Sequence, residues 1–116
     1  MIYKQKEIEH LFQKGHSFWT FPFVVYFDHN EDTARGFKLG ISVPKRKFRK
    51  AVDRNRAKRV ITEAFRTTRR NYESQLLSPV SIFVVYKHDK LPEYDTVKAK
   101  FVRIFEKIIK EQEGTW

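Results

Sequence analysis

Cysteine is absent from this 116-residue chain. That removes both a disulfide framework and any thiolate zinc site, and it fits a reducing compartment such as the cytoplasm. Glycine and proline are scarce, four of each, which excludes collagen-like and low-complexity architectures. The glycines are also too scattered to form the Gly-rich loop that cradles nucleotide phosphates. Long apolar runs are missing as well. The two longest, Phe21–Phe27 and Ile82–Tyr86, fall far short of the ~20 residues needed to span a bilayer. The N-terminal stretch MIYKQKEIEH has no apolar segment suited to a secretory signal. These absences predict a cytoplasmic protein with no membrane partner.

The shortage of acid in one stretch is more telling. Residues 45–70 carry 12 of the 24 Lys and Arg but only Asp53 and Glu63 among the 14 acids. The remaining residues balance to zero, so the whole formal charge of +10 lies in this segment. Charge confined in this way makes a local field that attracts a polyanion. Within it, Ala57, Val60, Ile61, Ala64, Phe65 and Thr68 recur at the spacing of a helix stripe. At about 100° per residue, Asn55, Lys58, Arg59, Arg66, Arg69 and Arg70 project away from that stripe, and Arg54 and Arg56 lie at its rim. The spacing predicts a helix from Val52 to Arg70, with Asp53 as its N-cap. With so few acids on the face, the i, i+4 ion pairs of ordinary surface helices are missing. The face therefore reads as a phosphate-binding surface, and arginine forks suit phosphate oxygens.

With 41% hydrophobic and 16% aromatic residues, the chain has the apolar content to fold as a single domain over residues 1–116. Residues 5–14 read as a short helix with Ile8, Leu11 and Phe12 on one side and Gly15 as its stop. The stretch His16–Asp28 is aromatic and β-branched, and Pro22, which cannot donate to a ladder, either divides it into two strands or sits at an edge. A turn over His29–Gly36 leads to Phe37–Val43, a strand expected to pair antiparallel with the one before it. Lys45–Lys50, five cations interrupted by Phe48, reads as a loop. After the basic helix, Val80–Tyr86 is a central strand. A last helix over Thr96–Glu111 carries the core stripe Val97, Phe101, Ile104, Phe105 and Ile108. The expected fold class is α/β, an α+β two-layer sandwich in α-β-β-β-α-β-α order with a mainly antiparallel sheet.

Catalytic groups are not evident. His10, His16, His29 and His88 show no metal-ligand spacing, and His88-Asp89 stands alone in a predicted loop. No nucleophile elbow or repeated carboxylates are present. Strand alternation places Tyr26 on one face with Phe18 and Val24, opposite Trp19, Phe21, Phe23 and Phe27, and Ile8 and Phe12 can wall the Tyr26 face. The residues alone leave three readings open: a ribosomal or assembly-type RNA-binding protein, a DNA-binding module with its helix in the major groove, and a nuclease in its own right.

The run AVDRNRAKRVITEAFR, Ala51–Arg66, resembles the signature of the bacterial ribonuclease P protein subunit. LFQKG at Leu11–Gly15, FVVY at Phe23–Tyr26 and LGISVPKR at Leu39–Arg46 are similar to further family segments in the same order. The resemblance implies a fold related to the second domain of ribosomal protein S5, with a left-handed crossover around the basic helix. It implies ribonuclease P RNA and precursor tRNA as partners, with no obligate protein partner. It also implies a division of labour, in which the RNA subunit and magnesium ions, held mainly by RNA and substrate, remove the 5′ leader from precursor tRNA. This chain would then hold no catalytic residue and no metal ligand. Carried onto these positions, Arg54, Asn55, Arg56, Lys58, Arg59 and Arg66, with Lys45 and Arg46 in the loop, would face the RNA subunit. Ile8, Phe12, Tyr26 and Lys58 would line the leader cleft. The chain departs from the family at Ile8, where an aromatic residue is usual, and at Thr62, where a basic one is. Its loop Lys47–Lys50 lacks a usual glycine.

Overall fold

The apolar alternation of the N-terminal half and the helical stripes of the C-terminal half fold against each other in a computed structural model, which describes residues 5–29 and 36–114. The order is α1 (Gln5–Lys14), β1 (His16–Thr20), β2 (Phe23–His29), β3 (Phe37–Ser42), α2 (Ala51–Arg69), a 3-10 turn at Glu73–Gln75, β4 (Val80–Tyr86) and α3 (Tyr94–Glu113). The expected α-β-β-β-α-β-α order is therefore present. Most of the predicted His29–Gly36 turn lies outside the described residues. No described helix is long and apolar enough to cross a membrane.

The four strands form one sheet in the order β1-β2-β4-β3. β1 and β4 both pair antiparallel with β2, whereas β3 pairs parallel with β4. The expected antiparallel pairing of β3 with β2 is thus wrong. Both sides of β2 are occupied, and β4, buried along nearly its whole length, takes the central place. A parallel neighbour requires a crossover of roughly a dozen residues or more, and α2 supplies it between β3 and β4.

Register assigns the faces. Thr20 pairs with Phe23 across the Phe21-Pro22 turn, so Phe18 pairs with Val25 and Trp19 with Val24. Phe18 therefore shares a face with Val25 and Phe27, while Trp19 shares one with Val24 and Tyr26. Counting alternation straight through the turn gives the reverse, because a two-residue turn pairs odd positions with even ones.

The face bearing Phe23, Val25, Phe27, Phe37, Ile82, Val84 and Tyr86 is buried beneath α2 and α3. From α3, Phe101 lies 6.0 Å from Phe23, and Phe105 stacks on Phe37 at 4.4 Å. From α2, Phe65 meets both Phe101 and Phe105 edge-on at 5.7 and 5.8 Å. Each fully buried ring contributes about 1.5–3 kcal/mol over its exposed state.

The opposite face carries α1. Its end is close-packed: a Cβ on Gly15 would stand 2.6 Å from the Leu11 carbonyl oxygen and 3.1 Å from that of Phe27. Glycine is thus what allows the helix to run directly into β1. At the start of α2, Lys50 rather than Asp53 occupies the N-cap position, without a side-chain cap. Asp53 lies in the first turn, where its carboxylate still suits the positive helix end.

Candidate nucleic-acid interface

The basic loop is built from the inside. Its one apolar residue, Phe48, is buried and stacks on Tyr86 at 6.1 Å between centroids. A tight turn on the Pro44 carbonyl, which accepts from the N–H groups of Lys47 and Phe48, leaves Lys45, Arg46 and Lys47 exposed. Arg54 completes the arrangement. Its guanidinium donates to the carbonyl oxygens of Phe48 at 2.9 Å and Arg49 at 3.0 Å. A single guanidinium nitrogen, Nη1, therefore ties the loop to the first turns of α2, a role that periodicity does not reveal.

Asn55, Arg56, Lys58 and Arg59 are exposed along α2. The face is not free of ion pairs, contrary to expectation. Arg66 donates to both oxygens of Glu63 at 2.7 and 2.8 Å, a contact that raises the pKa of its guanidinium. Arg69 approaches Glu73 at 3.7 Å. Lys58, Thr62, Arg66 and Arg69 form one wall of a groove of about 400 Å³, whose other wall includes Leu39 and Ile41 of edge strand β3.

A second surface lies across the sheet. Phe12 is 49% exposed on α1. Its ring sits 4.6 Å from Tyr26 and meets Phe83 edge-on at 5.6 Å. Tyr26 and Phe83 are register partners, which explains why both rings reach α1. Ile8 is half-buried one helical turn from Phe12. Lys38 of β3 donates to Glu7 at 2.7 Å, fixing the outer side of α1 to the sheet. The structure therefore brings together Phe12 and Tyr26, with Ile8 on the same helix. Lys58 does not join them, because it lines the α2–β3 groove on the other side of the sheet. In the sequence Phe83 is masked by a continuously apolar strand, although period-two alternation against Ile82 and Val84 places it on the Tyr26 face.

Among the described residues no group of three or more His, Asp or Glu side chains could hold a metal ion. Several acids have other neighbours: Glu7 is paired with Lys38, Glu111 with Lys107, and Asp28 lies 3.8 Å from His10. His88 contacts its neighbour Asp89 at 3.4 Å and the Phe21 ring at 5.2 Å. Tyr86 donates its hydroxyl proton to the Lys90 carbonyl at 2.6 Å. Burial, with a smaller contribution from Asp89, pushes its pKa up to about 12.

Known proteins share this fold. The family model described as Ribonuclease P matches residues 1–109. The ribonuclease P protein component of Porphyromonas gingivalis is 35% identical over 103 residues, covering 84% of this chain and 74% of the relative. Among solved structures, the RNase P protein of Staphylococcus aureus superposes with a TM-score of 0.72 at 29% identity, covering 92% of this chain and 93% of that one. The Thermotoga maritima RNase P protein gives the same TM-score, 0.72, at 23% identity over 91% of this chain and 94% of that one, which speaks for the fold alone. Sequence motif, strand order and family match agree, and the chain belongs to the bacterial ribonuclease P protein component family, the protein part of a tRNA-processing endoribonuclease.

Proposed function

We propose that this chain binds ribonuclease P RNA through its basic loop and helix and holds the 5′ leader of precursor tRNA against its open sheet face. The observation that carries the reading is the Phe12–Tyr26–Phe83 cluster, aromatic and partly open on a sheet face that α1 covers incompletely. Aromatic platforms stack any base, which suits a site serving leaders of many sequences. The exposed Lys45, Arg46, Asn55, Arg56, Lys58 and Arg59 supply phosphate contacts from the other side. Arg66 contributes to this charge only as a partner of Glu63. Magnesium, on this reading, belongs to the RNA subunit and its substrate. The chain's own contribution is to position RNA, screen its charge and raise substrate affinity.

The test is 5′-leader cleavage of a precursor tRNA by a bacterial ribonuclease P RNA at low magnesium, with and without this protein. Strong stimulation, with no cleavage by protein alone, is expected. Tight RNA binding without stimulation would overturn the reading and favour a ribosomal-type RNA-binding role.

A further inference from the structure

We propose that Trp19 continues the leader platform beyond Tyr26, giving this protein a second stacking step for an unpaired nucleobase farther along the leader. This rests on the leader-cleft reading above. Trp19 is 66% exposed, more than Phe12. A tryptophan left in water on a strand that pairs normally is not explained by core packing, since the core of this sheet lies on its other face. Register puts it on the Tyr26 face: Trp19 pairs with Val24, and Ser17 with Tyr26. Trp19 and Tyr26 are thus diagonal cross-strand neighbours, with Cβ atoms about 7–8 Å apart or slightly less, within reach of one another for aromatic side chains.

The other two corners of that diagonal are small, the buried Val24 and the exposed Ser17. A base leaving the Phe12–Tyr26 platform would therefore meet no barrier before the indole. Phe21, 58% exposed at the hairpin tip, turns the other way, against the His88 ring and the pocket lined by Tyr86 and Val97. The tip is held in place, since the Lys87 N–H donates to the Pro22 carbonyl at 2.8 Å. Charge selects the occupant. The +10 lies in residues 45–70, and the register aligns Trp19 through Val24 and Val85 with Ser42, just before the cationic Lys45–Lys50 loop. An anionic strand with flat bases fits an aromatic platform that ends beside such a loop; an acidic or purely apolar peptide fits only one half of its chemistry. Indole offers the largest π-face of the side chains, and stacking on it is indifferent to base identity. What Trp19 sets is therefore leader length, not leader sequence.

The experiment measures affinity of the assembled holoenzyme for precursors whose leaders lengthen one nucleotide at a time, comparing wild type, Tyr26→Ala, Trp19→Ala and Trp19→Phe. Tyr26→Ala should weaken binding from the first leader lengths that reach it. Trp19→Ala should weaken binding by about 5- to 100-fold, and only beyond a longer threshold; Trp19→Phe should recover much of the loss. In a Trp116→Phe background, which leaves Trp19 as the sole tryptophan, long-leader precursors should quench the fluorescence and short-leader ones should not. A length-independent loss in Trp19→Ala would overturn the proposal, as would wild-type affinity at every length while Tyr26→Ala keeps its leader dependence. If Tyr26→Ala itself is indifferent to the leader, the underlying cleft reading fails and takes the extension with it.

Discussion

Arg54 offers the sharpest separation between a phosphate contact and a structural tie. Truncation to Ala removes two hydrogen bonds from a charged donor, at 2.9 and 3.0 Å, to the carbonyls of Phe48 and Arg49. In isolation such bonds are strong, but both carbonyls lie near solvent and water replaces part of the loss. The net cost is about 1–2 kcal/mol, a fall in Tm of roughly 4–8 °C for a domain of this size. Arg56, exposed two residues on, makes no such tie, and Arg56→Ala should stay within about 0.5 kcal/mol of wild type. In RNA binding the ranking differs. If six to eight phosphates are contacted, log affinity falls with log salt at a slope of roughly −4 to −7, and Arg56→Ala should make that slope shallower by about one. Arg54→Ala should weaken RNA binding through a loosened Lys45–Lys50 loop while also lowering Tm. Both bonds leave the single nitrogen Nη1, so Arg54→Lys, which keeps the charge but is shorter and lacks the fixed orientation of the planar guanidinium, should recover only part of the lost Tm. Thermal melts and salt-dependent RNA titrations on the four proteins decide the matter. Wild-type melting of Arg54→Ala together with a slope shallower by one would refute the tie and make Arg54 an ordinary phosphate contact.

Three other outcomes follow from the packing. Because the Tyr86 pKa is raised from 10.0 to about 12, its contribution to stability is complete below pH 10 and is lost as pH climbs toward 12. Tyr86→Phe should therefore flatten the alkaline loss of stability measured by denaturant titration across that window; an unchanged slope would contradict the assignment. Thr68 is buried with its hydroxyl lacking any hydrogen-bond partner, so Thr68→Val should raise stability by about 1 kcal/mol, and a lower Tm would show that the hydroxyl is satisfied. Gly15→Ala forces a Cβ into the Leu11 carbonyl; a cost of about 1–3 kcal/mol and a displaced α1 are expected, with weaker leader-dependent affinity in the holoenzyme, and wild-type values on both would show that α1 yields freely.

Local patterns in the sequence reported local structure well. α1 is visible because its apolar residues repeat at helical spacing and Gly15 ends them. α3 is visible because five residues on one stripe, Val97 to Ile108, all enter the core. Pairing between strands is a different problem. Nothing in Phe37–Ser42 distinguishes a partner on β2 from one on β4, since both faces of the pleat repeat every two residues. The parallel choice depends on what α2 can span. The face of Trp19 depends on whether Phe21-Pro22 closes a two-residue turn, and one residue more would have reversed it. The roles of Arg54 and Arg66 were hidden for another reason: a guanidinium can serve phosphate, carboxylate or carbonyl equally, and only folded distances decide. Glu63 lies three residues before Arg66, so that pair was available to a reader who counted i, i+3 spacing.

The two surfaces proposed to face RNA are not independent, and Tyr86 is where they meet. The register places Ser42, Phe23 and Tyr86 at the same end of the sheet, so the basic loop after β3, the hairpin before β2 and the loop after β4 all gather there. Phe48 from the basic loop stacks on the Tyr86 ring, Phe23 of the hairpin approaches it at 5.7 Å, and its hydroxyl holds the Lys90 carbonyl. A protein that positions RNA gains most when its contacts are already in place, because ordering a flexible loop subtracts from binding. Here the exposed cations of the loop stand on a buried aromatic ring, and the hairpin that carries Trp19 and Phe21 shares that support. Disturbing the ring packing should therefore weaken RNA-subunit binding and long-leader affinity together, whereas Arg56 and Trp19 each report on one surface alone.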